Sequence, residues 1–134
     1  MNIEEFREFC LTKPGVTESF PFDEDTLVFK VGGKMFALTS LASFESGIAL
    51  KCDPEKALQL REQFPDDVTD AYHMNKKHWN SVKPNGTVPL IALKEWIDQS
   101  YYLVYNKLTK AEKLAIDIDK EPLPGLLSHN PDTN

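Results

Sequence analysis

The sequence predicts an α+β fold, an antiparallel sheet with helices packed on it, in the order α-β(3-4)-α-β(2)-α. Three observations carry that prediction. Apolar residues recur at helical spacing near both ends of the chain, at Ile3, Phe6 and Cys10 and again from Leu90 to Leu108. Two runs rich in β-branched and aromatic residues, Thr26 to Val31 and Lys34 to Leu38, flank the pair Gly32-Gly33. Between these regions Asp53-Pro54-Glu55 combines an N-cap acid, a proline suited to the first helical position and an acid in the first turn.

Each element follows from local chemistry. Asn2 and Glu5 stand as N-cap and N3 of a capping box, and Lys13-Pro14-Gly15 closes that helix, because proline cannot continue it and glycine tolerates the turn. Ser19-Phe20-Pro21-Phe22 reads as a short edge strand, where the N–H that proline lacks is not needed by a ladder. Gly32-Gly33 predicts a two-residue hairpin turn with both glycines at positive φ, angles at which a Cβ is costly. Gly47 to Cys52 reads as another strand, and Ala57, Leu60 and Phe64 line one face of the helix that Pro65-Asp66-Asp67 ends. Residues 68–74 and 78–83 are expected as two strands around the short turn Asn75-Lys76-Lys77, with a further turn at Asn85-Gly86. Leu90, Leu93, Ile97, Tyr101, Val104 and Leu108 fall three or four apart and define the longest amphipathic helix. Thr109-x-x-Glu112 resembles a second capping box and predicts a short final helix. From Asp119 the composition is that of a tail, in which Leu123, Leu126 and Leu127 are placed to dock on the body.

The 134 residues, 41% hydrophobic and 27% charged, fit one domain over 1–115 with an acidic, proline-containing tail over 116–134. The longest apolar run, Val88 to Leu93, is broken by Pro89 and falls far short of the ~18 residues of a membrane span. The N-terminus carries acids where a signal peptide carries bases, and the two cysteines form neither a disulfide framework nor a zinc pattern. A cytoplasmic protein without membrane association is expected. The formal charge of −6 is uneven: residues 1–29 hold seven acids against two bases, whereas residues 71–94 hold Lys76, Lys77, Lys83 and Lys94 and no acid. The average opposes approach to phosphate, and that segment favours it. No phosphate-cradling loop, zinc-protease helix or nucleophile elbow occurs, so neither an enzyme nor a cofactor is expected.

Several stretches together resemble the MmcQ/YjbR family. They are Pro14 to Glu18 with Phe20-Pro21-Phe22, Val28 to Ala37, Leu50 to Glu55, Tyr72-His73-Met74-Asn75-Lys76-Lys77-His78-Trp79-Asn80, and Ser100-Tyr101. The resemblance spans nearly all of residues 1–110 and stops after about residue 115. It implies an α+β fold of the YjbR/CyaY-like kind. It also implies DNA binding, which the family is credited with on the strength of a double-wing shape.

On that resemblance the nucleic-acid-binding residues are His73, Asn75, Lys76, Lys77, His78 and Lys83, with the lysines at a hairpin tip meeting phosphates as a wing does. The competing reading of Lys76 and Lys77 is a solvated turn. Trp79 is expected in the core, on the side of its strand opposite His78 and Asn80, with base stacking as the alternative. His73 and His78 lack further ligands at metal-binding spacing. Glu4, Glu5, Glu8 and Asp23-Glu24-Asp25 form an acidic cluster. The CyaY likeness invites an iron site there, and a helix N-terminus explains the first three acids equally well. No metal is expected. The alternative to DNA binding is a protein–protein or small-ligand module, chaperone-like, that uses the sheet face.

Overall fold

In the computed structural model, which describes residues 1–119 and side chains as far as Asp117, the capping box starts the chain as the sequence requires. The Asn2 side chain accepts from Glu5 N–H at 2.8 Å, Glu5 accepts from Asn2 N–H at 2.9 Å, and α1 runs Ile3–Leu11. The strands are β1 (Val16–Ser19), β2 (Thr26–Val31), β3 (Lys34–Ser40) and β4 (Ile48–Lys51). Then come α2 (Pro54–Gln63), β5 (Val68–Asp70), β6 (Trp79–Val82), α3 (Leu90–Tyr105) and α4 (Lys110–Asp119). The strands form one antiparallel sheet in the order β1-β2-β3-β4-β6-β5.

The α+β architecture stands as the sequence predicts. Gly32 and Gly33 turn the β2–β3 hairpin at φ 60° and 78°, and Asp53 caps α2 with Pro54 behind it. Thr109 and Glu112 exchange the two bonds of the second capping box at the start of α4. All four helices contribute to one apolar cluster: Phe6 and Cys10 from α1, Leu60 from α2, Leu93, Ile97 and Tyr101 from α3, and Ile116 from α4. They meet Leu27, Phe29, Val31, Ile48, Leu50 and Val82 from the sheet, so this is its helix-covered face. Strand pairing places the row Ser19–Val28–Leu38–Ala49–Ser81–Thr69, which crosses all six strands, on the opposite face. Among the described residues no helix is long and apolar enough to cross a membrane.

Two expectations about strands are corrected. The first edge strand lies earlier, at Val16–Ser19, and residues 20–25 are a loop. Val16 pairs with Val31 so that Ser19 reaches Val28, and the phenylalanines around Pro21 are left exposed. The hairpin expected over 68–83 pairs only Val68–Asp70 with Asn80–Val82, and eight residues, 71–78, connect β5 to β6. Two turns fold this connection, with Met74 N–H on Ala71 O at 3.1 Å and the N–H groups of His78 and Trp79 on Asn75 O at 3.0 Å. Asn80 is a third correction, since it lies at 2% exposure on the helix side rather than with a polar His78. At the far end, Ile116 is buried and α4 continues to Asp119, so the packed structure passes residue 115. Leu123, Leu126 and Leu127 lie outside the described residues.

Candidate functional site

The face away from the helices carries a groove of about 520 Å³. Leu38, Ala49 and Ser81 of the cross-sheet row line it, together with Phe22 and Asp23 from the first loop and Ala71 to Met74 from the second. The first wall is rigid because its acids are fasteners. The Asp23 carboxylate accepts from Thr26 N–H at 2.6 Å, Asp25 N–H at 2.9 Å and the Thr26 hydroxyl at 3.2 Å. These bonds, that from Thr26 N–H foremost, hold it below the ordinary carboxylate range. Asp25 likewise accepts from Ala42 N–H at 2.8 Å and from the Ser40 hydroxyl. Two members of the acidic cluster thus organise a turn, and Glu5 serves the α1 cap. Among the described residues no three His, Cys, Asp or Glu side chains gather as a metal site.

The second wall holds the backbone exception. His73, at φ 64°, is the only non-glycine residue at positive φ among those described, a conformation that costs an L-residue about 1 kcal/mol. It sets the imidazole against Tyr72, ring centroids 3.9 Å apart and tilted by 42°. Tyr72 itself stands 85% exposed, and Phe22 on the facing wall is 63% exposed. Large aromatic rings left in water on both sides of a concavity gain nothing from burial in the free protein.

The six residues predicted as a phosphate-binding set do not share one surface. His73 lines the groove. Asn75 is a turn residue whose side chain accepts from Lys77 N–H at 2.9 Å. Lys76 and Lys77 are exposed, as expected, but border a separate cleft of about 500 Å³ against Pro54, Glu55, Leu58 and Arg61 of α2. His78 is half-buried, its carbonyl accepting from Cys52 N–H at 2.7 Å. Lys83 sits beside Asp67, which it helps hold ionised. The tip is also not a free wing. Arg61 donates from Nε to Asn80 Oδ1 at 2.7 Å and from its terminal nitrogen to the carbonyls of Trp79, at 3.2 Å, and Lys76, fastening the connection to α2. Trp79 is buried, as expected, but lies outside the main cluster: its pairing with Lys51 puts it on the face opposite Asn80.

Comparison with known proteins fits this architecture. The YjbR family model matches residues 11–103. The chain belongs to the YjbR family. Among its relatives, the uncharacterised protein YbdF of Escherichia coli O157:H7 is 38% identical over 110 residues, covering 82% of this chain and 89% of the relative. The uncharacterised protein YjbR of Escherichia coli K12 is 32% identical over 113 residues, covering 84% and 95%. A crystal structure of Deinococcus radiodurans protein DR2400, of domain family DUF419, superposes with a TM-score of 0.82 at 40% identity and 96% coverage of both chains. A Pseudomonas syringae protein gives a TM-score of 0.66 at 28% identity over 78% of this chain and 99% of its own.

Within the family pattern the structure separates supporting residues from presented ones. Ser100, fully buried, accepts from Lys51 N–H at 2.8 Å and donates to Phe36 O at 2.5 Å, bridging β3 and β4 where their ladder opens. Tyr101 donates its hydroxyl to Pro14 O at 2.6 Å and fixes the turn after α1. Both are structural. Sequence reasoning passed over Arg61 and the facing pair Phe22 and Tyr72. The available signal was an exposed aromatic beside each turn, which spacing alone does not distinguish from a core residue.

Proposed function

We propose that the protein is a binding module, without catalysis of its own, that receives an aromatic or apolar side chain of a partner polypeptide in the groove on the open sheet face. The carrying observation is Tyr72, 85% exposed over the groove and held there by the positive φ of His73. The groove's polar groups are largely committed within the protein: Thr26 to Asp23, Thr39 to the Gly47 carbonyl at 3.0 Å and Ser40 to Asp25. What it offers a ligand is stacking and apolar contact, which suits a ring more than a polar substrate. The test is amide chemical-shift mapping with N-acetyl-tryptophanamide and a short tryptophan-containing peptide. Shifts at Leu38, Ala49, Tyr72 and Ser81 that vanish in Tyr72→Ala support the reading, and shifts confined elsewhere sink it.

DNA binding is the second reading, favoured by the exposure of Lys76 and Lys77 within the acid-free stretch 71–94. Phosphate neutralisation by these lysines makes affinity for duplex DNA fall with salt, with a slope of about one unit for each phosphate engaged. Lys76→Glu with Lys77→Glu then abolishes binding while Tyr72→Ala leaves it intact. The groove reading requires the reverse pattern.

A further inference from the structure

The connection 71–78 has a second side. Ala71 to Met74 line the groove, whereas Lys76 and Lys77 line the cleft of about 500 Å³ against the outer surface of α2. Asn75 closes the turn that carries both lysines. Its carbonyl accepts from His78 N–H at 3.0 Å and its side chain from Lys77 N–H at 2.9 Å. Arg61 ties that turn to α2 through the carbonyls of Lys76 and, at 3.2 Å, Trp79. The cleft is therefore set before any ligand arrives, and binding there has little chain to order.

Two kinds of surface meet in it. Pro54 and Leu58 give an apolar floor, which the stems of Lys76, Lys77 and Arg61 extend. Leu58 is 61% exposed. A lone exposed leucine is ordinary, but one seated in a cleft beside free cationic groups is a place for an apolar anchor. Arg61 spends its donors on Asn80 and the two carbonyls, whereas Lys76 and Lys77 have no ion-pair partner among the described residues. The chain carries −6 overall, yet three bases of this cleft face a single acid, Glu55. That charge selects an acidic ligand, and the floor selects one that is not all charge. Duplex DNA leaves Leu58 unused and brings many phosphates against the acidic remainder of the chain. A short acidic segment with an apolar side chain uses both surfaces.

We propose that this cleft docks an acidic segment of a partner polypeptide, with one apolar side chain on Leu58 and Pro54 and flanking carboxylates on Lys76 and Lys77. It is a site separate from the groove. Glu55 stands among the lining residues as the one group that repels such a segment.

The probe is a short fluorescein-labelled peptide with one phenylalanine flanked on both sides by aspartates, followed by anisotropy at low salt. Replacing its phenylalanine by serine should weaken binding about tenfold or more, the worth of one buried ring. Replacing its aspartates by serines should weaken it about fivefold and remove the salt dependence. Leu58→Gln keeps the helix propensity and should weaken the phenylalanine peptide about tenfold without affecting the serine one. Lys76→Gln with Lys77→Gln keeps the stems and should remove the preference for aspartates. All three side chains are exposed, so melting temperatures should not change. Glu55→Gln removes the repelling charge and should tighten binding about twofold. Amide shifts should centre on residues 54–61 and 75–77. The proposal is overturned by an acidic peptide that does not bind, by binding that survives Leu58→Gln or weakens in Glu55→Gln, or by shifts centred on Leu38 and Ala49 of the groove. Duplex DNA that binds through the two lysines more tightly than the peptide, with no dependence on Leu58, also overturns it.

Discussion

At the scale of single residues, conformational strain and exposed apolar area coincide at Tyr72-His73, and neither helps the folded state. His73→Gly removes the cost of the left-handed conformation, and the imidazole it deletes is exposed. Stability should rise by up to about 1 kcal/mol, read as a higher denaturant midpoint, while binding in the groove weakens because Tyr72 loses the ring against it. A loss of stability in that variant would show that the imidazole packs rather than presents. Arg61 works in the opposite sense. Its guanidinium satisfies the buried Asn80 carbonyl and two backbone carbonyls of the 71–78 connection and its exit into β6. Arg61→Ala should therefore cost about 2 kcal/mol and accelerate amide exchange across residues 71–78. Arg61→Lys should rescue little, because one ammonium cannot span three acceptors lying in a fork.

At the scale of elements, the β2–β3 hairpin separates two roles that the sequence presents as one. Gly32 and Gly33 share the positive φ, but a Cβ on Gly33 meets nothing within 4 Å, whereas one on Gly32 lies 2.6 Å from the buried Leu108 side chain. Gly33→Ala should cost about 1 kcal/mol, for backbone conformation alone, and Gly32→Ala about 2 kcal/mol or more, because Leu108 must also move. Equal melting temperatures would show that Leu108 yields freely. This difference also marks what was legible beforehand. The hairpin, the three caps and the α3 periodicity are local signals, written within a few residues, and each formed where its chemistry stands. The connection 71–78 was not legible, because its shape is set from α2 by Arg61, ten or more residues away in sequence. Asn80 was misplaced for the same reason: alternation set it apart from Trp79 correctly, but the face it shares is covered by α2. The groove needs three separated segments, and no window of sequence contains them.

At the scale of the whole molecule, charge and fold oppose each other over pH. Asp67 accepts from Thr87 N–H at 2.7 Å and from its hydroxyl, and the hydroxyl bond is the foremost cause holding it below the ordinary carboxylate range. Glu18 is lowered by its paired bonds with Arg7, at 2.5 and 2.6 Å, Asp23 by the turn it fastens and Glu112 by the α4 cap. For each, the folded state binds a proton less readily than the unfolded chain. The stability they contribute is complete above the ordinary carboxylate values and is lost as pH falls through their depressed folded ones. The formal charge of −6 acts the other way between neutrality and about pH 5, where titrating acids relieve self-repulsion. The melting temperature should therefore stay level or rise slightly on acidification to about pH 5, then fall steeply below about pH 4. Asp67→Asn isolates one contribution. The amide can still accept from Thr87 but no longer titrates there, so the variant should melt lower at neutral pH and its acid limb should be shallower. A parallel acid limb in the variant, or a wild-type melting temperature that keeps rising below pH 4, would place the acid sensitivity outside these carboxylates.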